Sequence, residues 1–407
     1  MLRSNSTVSL TPQTRRSRLR GSRPTPKKPL DRHSKKPSRQ ISRTFLKSWW
    51  ISLVWWAFVW TPGSALELRV AVRQDVSELT VGSSTPARIR DSSGNVLGNL
   101  TGMHAHLARS SEGSVALSQW QAGRLWIEPS DRGYVYIGDR WYRGKVLLVP
   151  RGYGMTAVNY VDIESYIYSV LGAEMSPNWP REALKAQAVA ARSYVLYQRQ
   201  RYGNDVYDVG DDTFWQVYRG MEEEAAATHA ATHATRGQVL SHDGKVIEAV
   251  FHSSSGGHTE DAEAIWDEAK PYLRGVPDFD RQSPNYQWTE TLSQWDVTHS
   301  LSGVGNVYDM KPERTTPNGR IVMMKVIGDG GTAMVDGDSI RSALGLRSSL
   351  FTVTSYGGYF TISGRGFGHG VGMSQWGAKY LAEQGYDYRQ ILSHYYRDTY
   401  LAQIRVP

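Results

Sequence analysis

One carboxylate stands out for its setting. Glu174 lies within Leu171 to Leu196, LGAEMSPNWPREALKAQAVAARSYVL, between Ala173 and Met175 and shortly before Trp179. An acid among apolar neighbours is poorly hydrated when charged, so its pKa rises and it keeps a proton for donation. That is the equipment of a general acid. Glu182 is the rival acid in the same stretch, but the first turn of a helix favours a carboxylate electrostatically and explains it structurally. Two other stretches carry polar groups at loop positions. The first is His252-Ser-Ser-Ser-Gly-Gly-His258-Thr-Glu260-Asp261, running straight out of an apolar segment. Its two histidines match no strong metal spacing and lack a third ligand, so hydrogen-bonding or substrate-binding roles are expected, with no metal and no cofactor. The second is SGRGFGHGVGMSQWGA (363–378), with Gly at 364, 366, 368, 370 and 372. It is neither a P-loop, because no Gly-Lys-Ser/Thr follows, nor a dinucleotide fingerprint.

These groups need elements to hold them. Pro177 and Pro180 stiffen the chain before a helix, and Pro180 suits its first turn. Leu184, Ala188, Ala191 and Val195 recur at helical spacing, with Lys185, Arg192 and Arg199 on a polar stripe beside them. Five alanines between Ala183 and Ala191 predict a close-packed neighbour. A short helix over Asp162–Val170 precedes, with Glu174 expected in the loop that follows it. Further helices are expected at Ala225–Thr235, Asp338–Leu344, Ser374–Glu383 and Tyr388–Tyr396, and a strand pair turns at Asp243-Gly244. In an extended chain the alternate glycines would bare one face of backbone and project Arg365 and His369 from the other. Tight packing on the bare face and a substrate-contacting wall both fit that pattern.

The chain has 407 residues and no cysteine, which excludes disulfides, cysteine nucleophiles and thiolate metal sites. Its 14 Trp and 23 Tyr suit sugar stacking as well as they suit ordinary cores. The formal charge of +8 comes from the leader: residues 1–48 hold 14 Lys and Arg against one acid, leaving the remainder at −5. A nucleic-acid partner is therefore not expected. Residues 1–43 are Ser-, Arg-, Lys- and Pro-rich and read as disordered. Residues 44–65 read as a signal peptide or signal anchor, because WWISLVWWAFVW (49–60) is uncharged yet short for a membrane span, and Gly63 and Ala65 suit cleavage after Ala65. Export to the periplasm or cell wall is expected, with membrane attachment through 49–60 if the signal is uncleaved. Short strands separated by turn signals fill a β-rich region, 66–161. The mixture that follows, 162–407, makes the fold class α+β.

Three stretches, in order, resemble the SpoIID/LytB family of bacterial cell-wall proteins: AEMSPNWPREALKAQAVAARSY (173–194), FHSSSGGHTED (251–261) and GRGFGHGVGMSQWGA (364–378). The segment GRIVMMKVIG…IRSALGLRSSLF (319–351) is similar too. The resemblance implies a lytic transglycosylase that cuts MurNAc–GlcNAc bonds in peptidoglycan strands stripped of stem peptides, or else an enhancer of an N-acetylmuramoyl-L-alanine amidase. It places the catalytic acid at Glu174. Substrate-binding candidates are Arg192, Ser253, Ser254, Ser255, His258, Arg365 and His369. The metal site that some members build with cysteine does not carry over to a chain without cysteine.

Overall fold

The computed structural model describes residues 9–12, 66–212, 215–266 and 268–405. The signal region falls outside them, as does the leader except Ser9–Pro12. Those four residues pair antiparallel with Tyr400–Arg405, so a wholly structureless leader does not hold there. Among the described residues no helix is long and apolar enough to cross a membrane. The chain is α+β, as its pattern predicts.

The N-terminal part is β-rich. Seven strands form one sheet in the order Val209–Gly210, Glu67–Val76, Gly154–Asp162, Lys145–Arg151, Leu125–Pro129, Ala87–Arg90 and Val96–Leu100. Six more form a second sheet around Glu78–Ser83 and His104–Ser111. In Glu67–Val76 the alternate residues Leu68, Val70 and Val72 are buried, the period of a strand with one face on a core. Gly154–Asp162 leads directly into the first helix. Asp162 caps it, accepting hydrogen bonds from the Glu164 and Ser165 backbone N–H groups.

The helices in chain order are Ile163–Glu174 (α1), Arg181–Tyr202 (α2), Ala226–Ala234 (α3), Ala262–Ile265 (α4), Gln294–Ser300 (α5), Gly337–Ala343 (α6), Gln375–Glu383 (α7) and Tyr388–Tyr395 (α8). The alanines of α2 do what their size predicts. Ala183, Ala186, Ala188, Ala190 and Ala191 are all fully buried, and α1, α3, α7 and α8 pack around this helix. Glu182, in its first turn, accepts from Lys185 Nζ at 2.6 Å and from the Tyr388 N–H at 3.0 Å, so it joins the starts of α2 and α8. That is the structural role its position predicts.

Residues 287–365 build a second core of their own around Trp288, Met324, Val326, Ile340, Phe360 and Ile362. It lies between two three-stranded sheets. One is ordered Gln287–Ser293, Tyr359–Arg365, Phe351–Tyr356, and the other Val307–Thr315, Ile321–Gly328, Gly331–Asp336. The chain returns to the first core through the glycine-rich stretch. Phe251–His252 and Met373–Ser374 then pair in parallel and set the second loop against the start of α7.

Candidate active site

Glu174 is the last residue of α1 rather than part of the following loop. The Met175 N–H still reaches the Leu171 carbonyl at 3.0 Å, which extends the helix four residues past the predicted end. Gly172 permits this packing: a Cβ there would lie 1.8 Å from the Glu223 carbonyl oxygen. Glu174 is half-buried. Its Oε2 accepts from Gln375 Nε2 at 3.1 Å, and the Val217 backbone N–H also donates to the carboxylate. Burial raises its pKa, and the two donors offset this only in part. The negative end of the α1 dipole further favours the protonated acid. The nearest acidic hydroxyls, Tyr166 and Tyr194, are held neutral by burial; the Tyr194 phenol is pushed up to about 12.

An aromatic pair joins the chain after Glu174 to the residue that follows Gln375. The rings of Trp179 and Trp376 meet edge-on at 4.9 Å, both half-buried, and Lys379 Nζ lies 5.4 Å from the Trp376 centroid. Trp376 follows Gln375, and its N–H donates to the Ser253 carbonyl at 3.1 Å. Ser253 is half-buried, and its hydroxyl makes no hydrogen bond among the described residues. The structure therefore brings Gln375 to Glu174, and Trp376, next in the chain, to Trp179 and Ser253. Gln375 was missed by sequence reasoning, although the Ser374 N-cap placed it at a helix start.

Most other predicted binding residues prove to be braces. Arg192 is fully buried and forks onto Glu164, with Nη2 to Oε2 at 2.7 Å and Nε to Oε1 at 3.2 Å, while Nη1 donates to the Gln238 carbonyl. It locks α1, α2 and the strand Gln238–His242 together and is not free for substrate. Ser254 and Ser255 are also buried. Their hydroxyls donate to Asp280 and Asp278, the latter at 2.6 Å, and Tyr395 completes the clamp on Asp278 at 2.7 Å. His369 spends both ring nitrogens on backbone: Nε2 donates to the Phe251 carbonyl and Nδ1 accepts from the Val371 N–H. Burial pulls its pKa down to about 3, so it stays neutral and is a bracing group rather than a substrate contact. His252 is buried and neutral for the same reason, donating from Nδ1 to the Val371 carbonyl. His258 is half-exposed, and its Nδ1 donates to the Thr259 carbonyl beside Asn318. Among the described residues no group of three or more His, Asp or Glu side chains is placed to hold a metal ion.

The glycine-rich stretch is not an extended strand. The strand ends at Arg365, and Gly366, Gly368, Gly370 and Gly372 all take positive φ, from 71 to 114°. The reason is clearest at Gly370, where a Cβ would lie 2.3 Å from the guanidinium of the fully buried Arg320. The segment folds over that cation, which donates to the Gly368 carbonyl and to the Ser255 carbonyl of the other loop. Close packing thus accounts for the glycines. Arg365 itself points to a separate cleft that none of the Glu174 neighbours lines.

Comparison with known proteins finds two family models and several relatives. A family model described as stage II sporulation protein matches residues 151–242, and one described as a domain of unknown function matches 270–372. A stage II sporulation protein D of Bacillus amyloliquefaciens is 36% identical over 271 residues, covering 61% of this chain and 76% of that protein. An uncharacterized protein of Brachyspira hyodysenteriae is 36% identical over 278 residues, 65% of this chain and 73% of that one. An amidase enhancer of Bacillus subtilis is 31% identical over 287 residues, 57% of this chain but 39% of the relative.

Proposed function

The chain belongs to the SpoIID family, and on that premise we propose that it is a peptidoglycan lytic transglycosylase with Glu174 as its acid and base. The observation that carries the reading is a half-buried carboxyl held above its usual pKa by burial, with no cation paired to it among the described residues. The protonated Glu174 gives its proton to the glycosidic oxygen as the MurNAc C1–O bond breaks, and the GlcNAc leaves with a free 4-hydroxyl. The MurNAc 6-hydroxyl oxygen attacks C1 and closes a 1,6-anhydro ring, and its proton returns to the Glu174 carboxylate. No water is consumed and no second carboxylate is needed, in contrast to ordinary glycosidases. Gln375 and the Val217 N–H hold the carboxylate between the two proton transfers. Trp179 and Trp376 offer the apolar face on which a sugar ring stacks.

A relative named as an amidase enhancer motivates the second reading, in which the protein binds wall glycan and stimulates an N-acetylmuramoyl-L-alanine amidase without cutting glycan itself. Mass spectrometry of glycan strands incubated with the full chain separates the two. Fragments ending in 1,6-anhydro-MurNAc, made by wild type and not by Glu174→Gln, support the transglycosylase. Faster amidase turnover with either protein, and no anhydro ends from wild type, would sink it.

A further inference from the structure

The cleft at Arg365 lies outside the Glu174 site and has a chemistry of its own. It has a volume of about 600 Å³. Its floor is the Arg365 end of the sheet formed by Gln287–Ser293, Tyr359–Arg365 and Phe351–Tyr356, its wall is the Asn318-Gly319 turn, and the solvent face of the sheet continues beyond it. Strand register sorts that face into rows. Thr289, Ser363 and Thr352 stand side by side, then Thr291, Thr361 and Thr354, then Ser293, Tyr359 and Tyr356. Side chains two apart along a strand share one face, so all three rows look the same way. The first two rows are wholly exposed. Successive rows are about 6.8 Å apart and neighbouring strands about 4.8 Å apart, so the face is a flat grid of small hydroxyls. Tyr356 and Tyr359, 91% and 57% exposed, close one end.

Arg365 closes the other end, opposite Gln287 in register. It is exposed, and its guanidinium makes no hydrogen bond or ion pair among the described residues. The nearby carboxylates are committed elsewhere. Glu290 projects from the opposite face and pairs with Arg347, and Glu260 accepts from Thr316 and Asn318. A free planar cation beside a grid of hydroxyls and exposed aromatic rings suits a long, flat, hydroxyl-rich ligand that carries carboxylates.

We infer that this face is a second, non-catalytic glycan-binding site in which Arg365 pairs with the lactyl carboxylate of a MurNAc residue. The identity of the ligand rests on the wall-glycan reading above. The lactyl group ends in a carboxylate only where the stem peptide has been removed; in an intact strand it is an amide and offers no charge. The site therefore reads the denuded state of the strand directly. The same segment that carries Arg365 continues to Gln375 at the acid, so one stretch of chain connects reading with cutting.

The test uses the full chain carrying Glu174→Gln, which separates binding from cleavage. Fluorescently end-labelled, peptide-free glycan strands are titrated and followed by anisotropy, alongside the same strands with their lactyl carboxylates reduced to alcohols. Adding Arg365→Gln should weaken binding of native strands about tenfold, as expected for loss of one charge-assisted contact. Reduced strands should bind about that much more weakly to the Arg365 protein and gain nothing from the cation's presence. Arg365→Lys should fall between, and Thr354→Glu, in the middle row, should weaken binding through charge repulsion. An unchanged melting temperature shows that each variant is folded. Equal affinity for native and reduced strands, or undiminished binding by Arg365→Gln, overturns the proposal. Should wild type make no anhydro ends while Arg365-dependent binding persists, the transglycosylase reading fails and the cleft stands.

Discussion

Helix α1 carries a glutamate at each end, and the two live in opposite circumstances. Glu164, in the first turn, faces a buried guanidinium that forks onto both its oxygens, and it also accepts the Gly237 N–H at 2.9 Å. Glu174, at the last residue, is half-buried with an amide and a backbone N–H for company and, among the described residues, no paired cation. The helix dipole favours charge at the first site and opposes it at the second. Burial is common to both, so burial alone does not mark an acid catalyst. What separates them is whether the surroundings neutralise the carboxylate or leave it short of partners. The buried Asp278 follows the Glu164 pattern with hydroxyl donors and a backbone N–H, whereas Asp280 keeps one buried oxygen without a partner among the described residues, and burial and the neighbouring Asp278 raise its pKa.

The contrast is sharpest if Glu174 is removed. Glu174→Gln should lower turnover on the order of 10³-fold while glycan binding persists, measured by release of anhydro ends. Comparable turnover would break the comparison. Arg192→Met leaves Glu164 charged and buried, and should cost about 3–5 kcal/mol by denaturant unfolding. The double variant Glu164→Leu/Arg192→Met should recover much of this. If it does not, the pair is more than a brace.

Gln375 tunes the acid in a direction that can be read in a pH profile. The rate should fall as pH rises through the raised Glu174 pKa, because the acid must begin protonated. Gln375→Leu removes a donor that stabilises the charged form, so the alkaline fall moves to higher pH. Gln375→Lys brings a cation to Glu174, makes it resemble Glu164, and moves the fall to lower pH. Each should reduce the maximum rate about tenfold through lost orientation. If both variants shift the limb the same way, Glu174 is not the group that titrates. The smallest effect belongs to Ser254→Ala, which should cost about 1 kcal/mol of stability by removing a donor to Asp280. Its turnover should match wild type, since Ser254 has no open side.

Local pattern made much of this legible. The alternating strands before residue 162, the alanine helix, the hairpin at Asp243-Gly244 and the helix starts at Ser374 and Asp387 all follow from period, turn chemistry or caps. Glu174 drew attention through its apolar neighbours in sequence, but the groups that hold it, Val217 and Gln375, lie far along the chain. Arg192 was misread because its partner lies a helix away: a polar stripe on one helix looks solvated until another helix supplies Glu164. Ser254, Ser255 and His369 were misread for the same reason. A hydroxyl or imidazole near a motif has the same spelling whether it faces a cleft or an interior carboxylate. The alternate glycines suggested an extended chain, but only positive φ values explain why they could wrap Arg320. Those depend on a buried cation contributed some fifty residues earlier, by the turn that leads into the strand Ile321–Gly328.

The hydrogen bond between Glu174 and Gln375 spans 201 positions of chain, and that between Glu182 and Tyr388 spans 206. Contacts of such sequence separation close late, because the intervening chain must first be ordered. During synthesis the acid exists long before the group that holds it. A chain interrupted ahead of α7 keeps the glutamate and loses Gln375, so the setting of Glu174 is completed by the C-terminal helices, as a last step of assembly rather than as a property of the motif.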